Sequence, residues 1–201
     1  MHVHPLFSTP LLVVRPALPE EVAISARERL IEMAENTPGI RRSNAGGGWH
    51  STPDLFLDPS FSTLGEHIAE QARHAFITLS EANTSLAPSL QGLQIQAWGM
   101  VLKDGAFVLP HDHADAHLAG VLHLDDTDTA DGHLALLDPR STHLPWAPVD
   151  PTAFHIAPKA GQLVWFPAGL RHWVTPVRGR TRVSISVNVR FQVQHSAPGT
   201  T

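Results

Sequence analysis

Apolar positions along the chain change period once, near Gly92. Before it, Val22, Ile24, Leu30, Ile31 and Met33 stand among acids and bases in PEEVAISARERLIEMAE. That spacing predicts an amphipathic helix from Pro19 to Glu35, with the proline near its first turn. Leu64, Ile68, Ala72, Phe76 and Leu79 repeat at three or four and predict a second helix from about Phe61 to Leu79. Between the two, Arg41 to Phe56 (RRSNAGGGWHSTPDLF) holds three consecutive glycines, which suit neither helix nor strand and predict a loop carrying a tryptophan. Beyond Gly92 the period is two, in LQIQAWGMVL, HLAGVLHL, GHLALLD, AFHIA, QLVWFP, HWVTPV and RVSISVNVRF, divided by Pro, Gly and Asp clusters. About seven or eight short strands with no helices between them predict a sandwich or barrel of antiparallel strands. The fold class is therefore mainly β with N-terminal helices. There is no internal repeat, and only the tail QHSAPGTT reads as a frayed end.

A chain of 201 residues is expected to form a single domain. Within it, residues 1–90 read as an N-terminal segment whose helices pack on the sheet, and residues 91–193 as the β core. The formal net charge of -5 gives no basic field for nucleic acid, and the 14 Lys and Arg are scattered. The absence of cysteine excludes disulfides, thiolate metal sites and Cys nucleophiles, so any metal falls to His and carboxylate. It also fits a reducing cytoplasm. The start, MHVHPLFSTPLLVVRP, has no leading Lys or Arg and is interrupted by Pro5 and Pro10, which makes a poor signal peptide. No apolar run approaches the roughly 20 residues a membrane helix needs. A cytoplasmic protein without a membrane partner is expected.

The 14 histidines change the picture from fold to chemistry. The stretch LPHDHADAHLAGVLHLDD, Leu109 to Asp126, crowds His111, His113, His117 and His123 among four aspartates. Alternation along a strand puts His111 and His113 on one face, and Asp115 joins them if the extended conformation persists. Two ligands from one strand edge require a third from elsewhere. FPAGLRHWVTP supplies His172, just after a Pro-Ala-Gly turn. Ten residues on lies Arg182, with Ser184 at i+2 on the same interior face. Taken alone, the histidine stretch is equally a solvated loop and Arg182 a surface strand charge; the order of the pieces favours a metal site with an anion anchor beyond it. Trp98, Asn188 and Trp165 are candidates to line a pocket, though tryptophan in such a fold is more often core. His123, His133, His143 and His155 lie on or beside strands and read as structural or exposed. The AGGGWHS segment fits a lid or a plain connection, and Asp138 and Arg140 fit a salt bridge or a substrate contact.

These pieces, together with HPLFSTPL at the start, SNAGGGWHS over 43–51, AWGMVLKDGAFVLPHDH over 97–113, DPR over 138–140, GQLVWFPAGLRHWVTP over 161–176 and RVSISVNV over 182–189, resemble the 2-oxoglutarate and Fe(II)-dependent oxygenases. More narrowly, the chain is similar to a small bacterial and phage group in which the usual His-x-Asp becomes His-x-His. The resemblance implies a double-stranded β-helix, the jelly-roll or cupin-like core. It implies His111, His113 and His172 as iron ligands, a register favoured over His113, Asp115 and His172 because Gly120 and the following strand fall at the family's spacing. It implies Arg182 and Ser184 holding the far carboxylate of 2-oxoglutarate, whose near end chelates the metal. Relatives commonly use a tyrosine there; this chain has none, and His123 is expected in its place. The reaction implied is oxidative decarboxylation to succinate and CO2 with O2, then hydroxylation of a C-H bond, with ascorbate as an activator in vitro. The expected substrate is a small amino-acid-like or natural-product molecule, and a homodimer is among the assemblies allowed. Two other classes remain: a cupin-like three-His metalloenzyme, dioxygenase or isomerase, that needs no cosubstrate, and a non-catalytic metal-binding jelly roll.

Overall fold

The computed structural model describes residues 8–83, 89–113, 115–127, 131–138 and 153–194. Its elements are β1 (Leu12–Val14), α1 (Glu20–Asn36), β2 (Asn44–Ala45), β3 (Trp49–His50), α2 (Ser62–Asn83), β4 (Ser89–Leu102), β5 (Phe107–His111), β6 (Leu118–His123), β7 (Leu134–Leu137), β8 (Ala153–Ile156), β9 (Gln162–Pro167), β10 (His172–Val174) and β11 (Arg182–Gln194). Two antiparallel sheets result: a six-stranded one in the order β1-β9-β6-β11-β4-β3, and a five-stranded one in the order β2-β5-β10-β7-β8. Two packed antiparallel sheets with two helices are what the period-two pattern predicts, and the jelly roll they form is the one the resemblance implies.

Both helices lie where the three-to-four spacing puts them, with α2 continuing past Leu79 to Asn83. Glu20 and Glu21 sit in the first turn of α1, where the exposed N-H groups favour negative charge. Thr37 ends the helix, its backbone N-H and hydroxyl both donating to Met33 O, at 2.9 and 2.8 Å. The two helices cover one face of the six-stranded sheet. Leu30 of α1 and Leu64, Ile68 and Ala72 of α2 bury against Ala97, Val101, Leu122, Leu163 and Trp165. Gly99 makes room for this contact, since a Cβ there would lie 2.2 Å from Leu30 Cδ2. Asp125 fastens α1 to the sheet by accepting from Arg27 Nε and from Val183 N, each at 2.5 Å.

Strand parity then sorts β11 into two rows. Val183, Ile185, Val187 and Val189 join the core beneath the helices. Arg182, Ser184, Ser186 and Asn188 therefore face the space between the sheets. The other walls of that space are apolar: Ala119, Val121, Leu134, Leu136, Val164 and Phe166 towards one end, Trp98, Met100, Leu102, Val108 and Val174 towards the other. A polar row inside an apolar barrel is costly unless it meets a ligand.

Three short strands escape the alternation rule, and all lie in the first ninety residues. The glycine loop contributes two of them. Gly46 and Gly47, at φ 63 and 84, turn the chain from β2 in the smaller sheet to β3 in the larger. A side chain at Gly46 would collide with Gly105 O, 2.5 Å away. Trp49 is buried at 8 % exposure, and its Nε1 donates to Thr37 O at 3.1 Å. The segment is thus a packed corner, anchored through its tryptophan. Arg140, His143 and the tail beyond residue 194 lie outside the described residues, as do residues 1–7.

Candidate metal centre and its cavity

The strand carrying the first histidine ends at it. β5 stops at His111, so the shared face expected of His111 and His113 is not produced by continued alternation. His113 is placed instead by its backbone, which donates to Ala168 O at 2.9 Å. His172 arrives from the neighbouring strand, register-paired with His111 across β10 and β5. The result brings His111, His113 and His172 together, with ligand nitrogens all within 4.8 Å of one another. Three nitrogens around one ion at about 2.1 Å each lie no more than about 4.2 Å apart, so a contraction of about half an ångström closes the set. Asp115 is exposed and stands outside the cluster, and its backbone carbonyl accepts from Arg190 Nε.

Local hydrogen bonds prepare two of the three rings. His111 Nδ1 lies 2.8 Å from Leu109 O, and His172 Nδ1 lies 2.8 Å from Leu170 O. A carbonyl only accepts, so each Nδ1 carries the proton and each Nε2 presents a lone pair. Phe166 packs edge-on against His172 at 4.8 Å. Burial, with repulsion from neighbouring rings, pushes His113 down to about 4 and His172 to about 3, and burial lowers His111 as well. All three are neutral at pH 7, the form that binds a metal.

A narrow cavity of about 30 Å³ is lined by His111 and His172, by the apolar Met100, Val108, Val121, Leu134 and Val174, and by Arg182, Ser184 and Ser186. Arg182 is only 1 % exposed. Its Nη1 donates to Ser184 Oγ at 2.8 Å, and its Nη2 lies 3.3 Å from His123 Nδ1. His123 is therefore the acceptor in that contact and holds its proton on Nε2. Desolvation and the adjacent guanidinium keep the ring well below its usual pKa. Two buried donors are left without partners, Arg182 Nε and His123 Nε2. Among the described residues no carboxylate lies within ion-pair distance of Arg182, and burial lowers its pKa to about 10.

On the outer side of the histidines, a wider cavity of about 390 Å³ is lined by Trp98, Asn188, Gln96, His50, Arg42 and Ile40, among others. Trp98 and Asn188 therefore meet the expectation of pocket-lining residues. Trp165 does not: it faces the helices, in the core beneath them. Arg42 was not singled out by sequence reasoning, and His50 only as part of the AGGGWHS segment that fits a lid or a plain connection. The signal available was the His that follows Trp49 after a glycine turn, which folds inward with it. His155 is exposed, and His133 and His155 sit 6.2 Å apart on the smaller sheet, away from the metal cluster.

Residues 96–188 match a family model described as "Putative 2OG-Fe(II) oxygenase". No curated protein matches the chain. Among solved structures, a prolyl-4-hydroxylase of Pseudomonas putida superposes with a TM-score of 0.61 at 17% identity, covering 93% of this chain and 95% of that one. The non-haem α-ketoglutarate-dependent epimerase SnoN of nogalamycin biosynthesis gives 0.65 at 14% identity, over 90% and 76%. HygX from Streptomyces hygroscopicus, solved with nickel and 2-oxoglutarate bound, gives 0.63 at 14% identity, over 90% and 83%. At these identities the superpositions speak for the fold, while the sequence match spans His111, His113, His172, Arg182 and Ser184. Over residues 96–188 the chain is thus similar to the 2OG-Fe(II) oxygenase family.

Proposed function

We propose that this protein is a non-haem Fe(II)- and 2-oxoglutarate-dependent oxygenase that hydroxylates a C-H bond of a small molecule, with release of succinate and CO2. The observation carrying this reading is the buried Arg182, with no carboxylate within ion-pair distance among the described residues, lining the same narrow cavity as His111 and His172, two of the three neutral histidines. A buried guanidinium of that kind calls for an anion. The shared cavity places an anion anchor beside a site for a cation, an arrangement that suits a dicarboxylate chelator.

The residues present fit both groups. His111, His113 and His172 would hold the iron, and an all-nitrogen set leaves the ion's charge uncompensated, which favours an anionic cosubstrate. Arg182 Nε and the free hydrogens of its Nη atoms would bind the far carboxylate. Ser184 Oγ already accepts from Arg182, so its own proton is available to that carboxylate. His123 orients the guanidinium through Nδ1 and keeps a buried Nε2-H with no partner among the described residues. Admitting a five-carbon dianion into about 30 Å³ requires rotamer changes among Met100, Val121 and Leu134, whose apolar side chains then exclude water. When bound, iron and 2-oxoglutarate supply the activation of O2; the protein fixes geometry and keeps the site dry.

The test is direct: aerobic incubation with Fe(II), ascorbate and 2-oxoglutarate should release succinate. A second reading, a cupin-like three-His enzyme with no cosubstrate, draws support from the all-histidine set. Absence of succinate across a broad substrate panel would favour it.

A further inference from the structure

The outer cavity is built with two unmet demands. The first is for an anion. Among its lining residues Arg42 is cationic and none is acidic. Arg42 is exposed, and among the described residues no carboxylate pairs with it. Its backbone is nonetheless fixed. Asn44 Oδ1 accepts from Arg42 N at 2.8 Å, Asn44 Nδ2 donates to Gly48 O at 2.6 Å, and Leu109 N donates to Ser43 O at 2.8 Å. Residues 42–44 are thereby pinned to β5, the strand that ends at His111, so the guanidinium is tethered at the rim of the metal cluster's own cavity.

The second demand is for a hydrogen-bond donor. Asn188 and Gln96 are register partners on β11 and β4, and both line the cavity. Asn188 Oδ1 is buried and receives no hydrogen bond. A desolvated acceptor left empty is costly, and an O-H or N-H of a ligand would fill it. His50 and Trp98 close the side with a flat stacked wall, 5.7 Å between centroids and 8° between planes, and Trp98 meets His113 edge-on at 5.4 Å.

We propose that this cavity takes a small hydroxy- or amino-carboxylate, whose carboxylate pairs with Arg42 and whose hydroxyl or amine donates to Asn188 Oδ1. The carbon carrying that donor then lies beside His113. A volume of about 390 Å³ suits one such molecule. The inference rests on the oxygenase reading only for what happens to that carbon; recognition itself needs neither iron nor turnover.

Saturable quenching of tryptophan fluorescence in the metal-free chain, with and without added 2-oxoglutarate, tests recognition separately from chemistry. The probes are the common L-amino acids and the matching 2-hydroxy acids, the methyl ester of each, and the corresponding carboxylates lacking the amine or hydroxyl. The best free acid should bind about 3- to 10-fold more tightly than its ester, the modest margin of an exposed charge pair. Arg42→Gln should erase that margin. Asn188→Leu should weaken the hydroxy or amino acid by about 10-fold and leave the unsubstituted carboxylate unchanged. No saturable response to any free acid, equal affinity for acid and ester in the parent, or a margin that survives Arg42→Gln would each overturn the proposal. Succinate release that fails while the acid-over-ester preference persists would remove the oxygenase reading and leave this one standing.

Discussion

Replacing Arg182 with methionine separates an anion anchor from a structural residue, because the two roles predict opposite effects on stability. The guanidinium is 1 % exposed and held at about 10 instead of its ordinary 12.5. That displacement corresponds to about 3 kcal/mol against the charged form in the ligand-free fold. Since the folded pKa is the lower one, the charge is present in both states below pH 10, and the cost is constant through neutral pH, easing only above pH 10. The contacts with Ser184 and His123 return about 1 kcal/mol each, which does not cover it. An apolar side chain of similar length should therefore leave the ligand-free protein within about 1 kcal/mol of the parent, or above it. Binding should respond the other way. Loss of a charged, multiply bonded contact costs about 2 to 4 kcal/mol, on the order of 30- to 1000-fold in 2-oxoglutarate affinity. Arg182→Lys should recover only part of this, since a point charge cannot reproduce the planar fork. The assay pairs urea denaturation without ligand with equilibrium binding of 2-oxoglutarate at fixed metal. A ligand at 100 times its Kd stabilises the parent by about 2.7 kcal/mol, and the Met variant should lose that increment at the same concentration. An Arg182→Met chain that binds 2-oxoglutarate like the parent, or that is destabilised by several kcal/mol before any ligand is added, would refute the reasoning.

Three further outcomes are expected. His172→Ala should abolish stoichiometric Fe(II) binding, while Asp115→Ala, at an exposed side chain outside the cluster, should leave it intact; equilibrium dialysis followed by metal analysis distinguishes the two. His50, His111, His113, His123 and His172 all have pKa values lowered mainly by burial, so below pH 6.5 the unfolded chain takes up protons that the folded one refuses. Stability of the metal-free protein should therefore fall with pH by up to about 1.4 kcal/mol per pH unit for each ring, continuing towards about 4 for His113 and about 3 for His172; an equal urea midpoint at pH 7 and pH 5 would contradict this. Asp125→Ala unties α1 from the start of β11 and should cost about 1 to 3 kcal/mol in urea denaturation while leaving Fe(II) affinity unchanged, because Asp125 touches no part of the metal cluster.

Legibility in the sequence followed how local each determinant is. The long strands were visible because the alternation of RVSISVNVRF and LQIQAWGMVL reports one face turned to each layer, and that parity also put Arg182 and Ser184 inside together. β1, β2 and β3 are too short to alternate, and long-range pairing decides them, as with Leu12 opposite Trp165. The histidine cluster was found partly for the wrong reason. Strand periodicity was expected to align His111 with His113, but β5 ends at His111, and the hydrogen bond of His113 N to Ala168 O performs the alignment. Trp165, a pocket candidate for which core was the commoner expectation, is core: it lies in the layer beneath the helices. Arg42 and Gln96 left no signal of their own, because only the corner made by Gly46 and Gly47 and the pairing of β4 with β11 carry them to the cavity.

The central claim is that one cosubstrate spans from the histidines to Arg182, and it is tested most directly by anaerobic titration of the Fe(II)-loaded chain with 2-oxoglutarate. Chelation of the ferrous ion should produce a weak visible charge-transfer band that saturates at one equivalent, is absent from His172→Ala, and requires much more 2-oxoglutarate in Arg182→Met. An iron-loaded parent that shows no such band at any 2-oxoglutarate concentration would contradict the account.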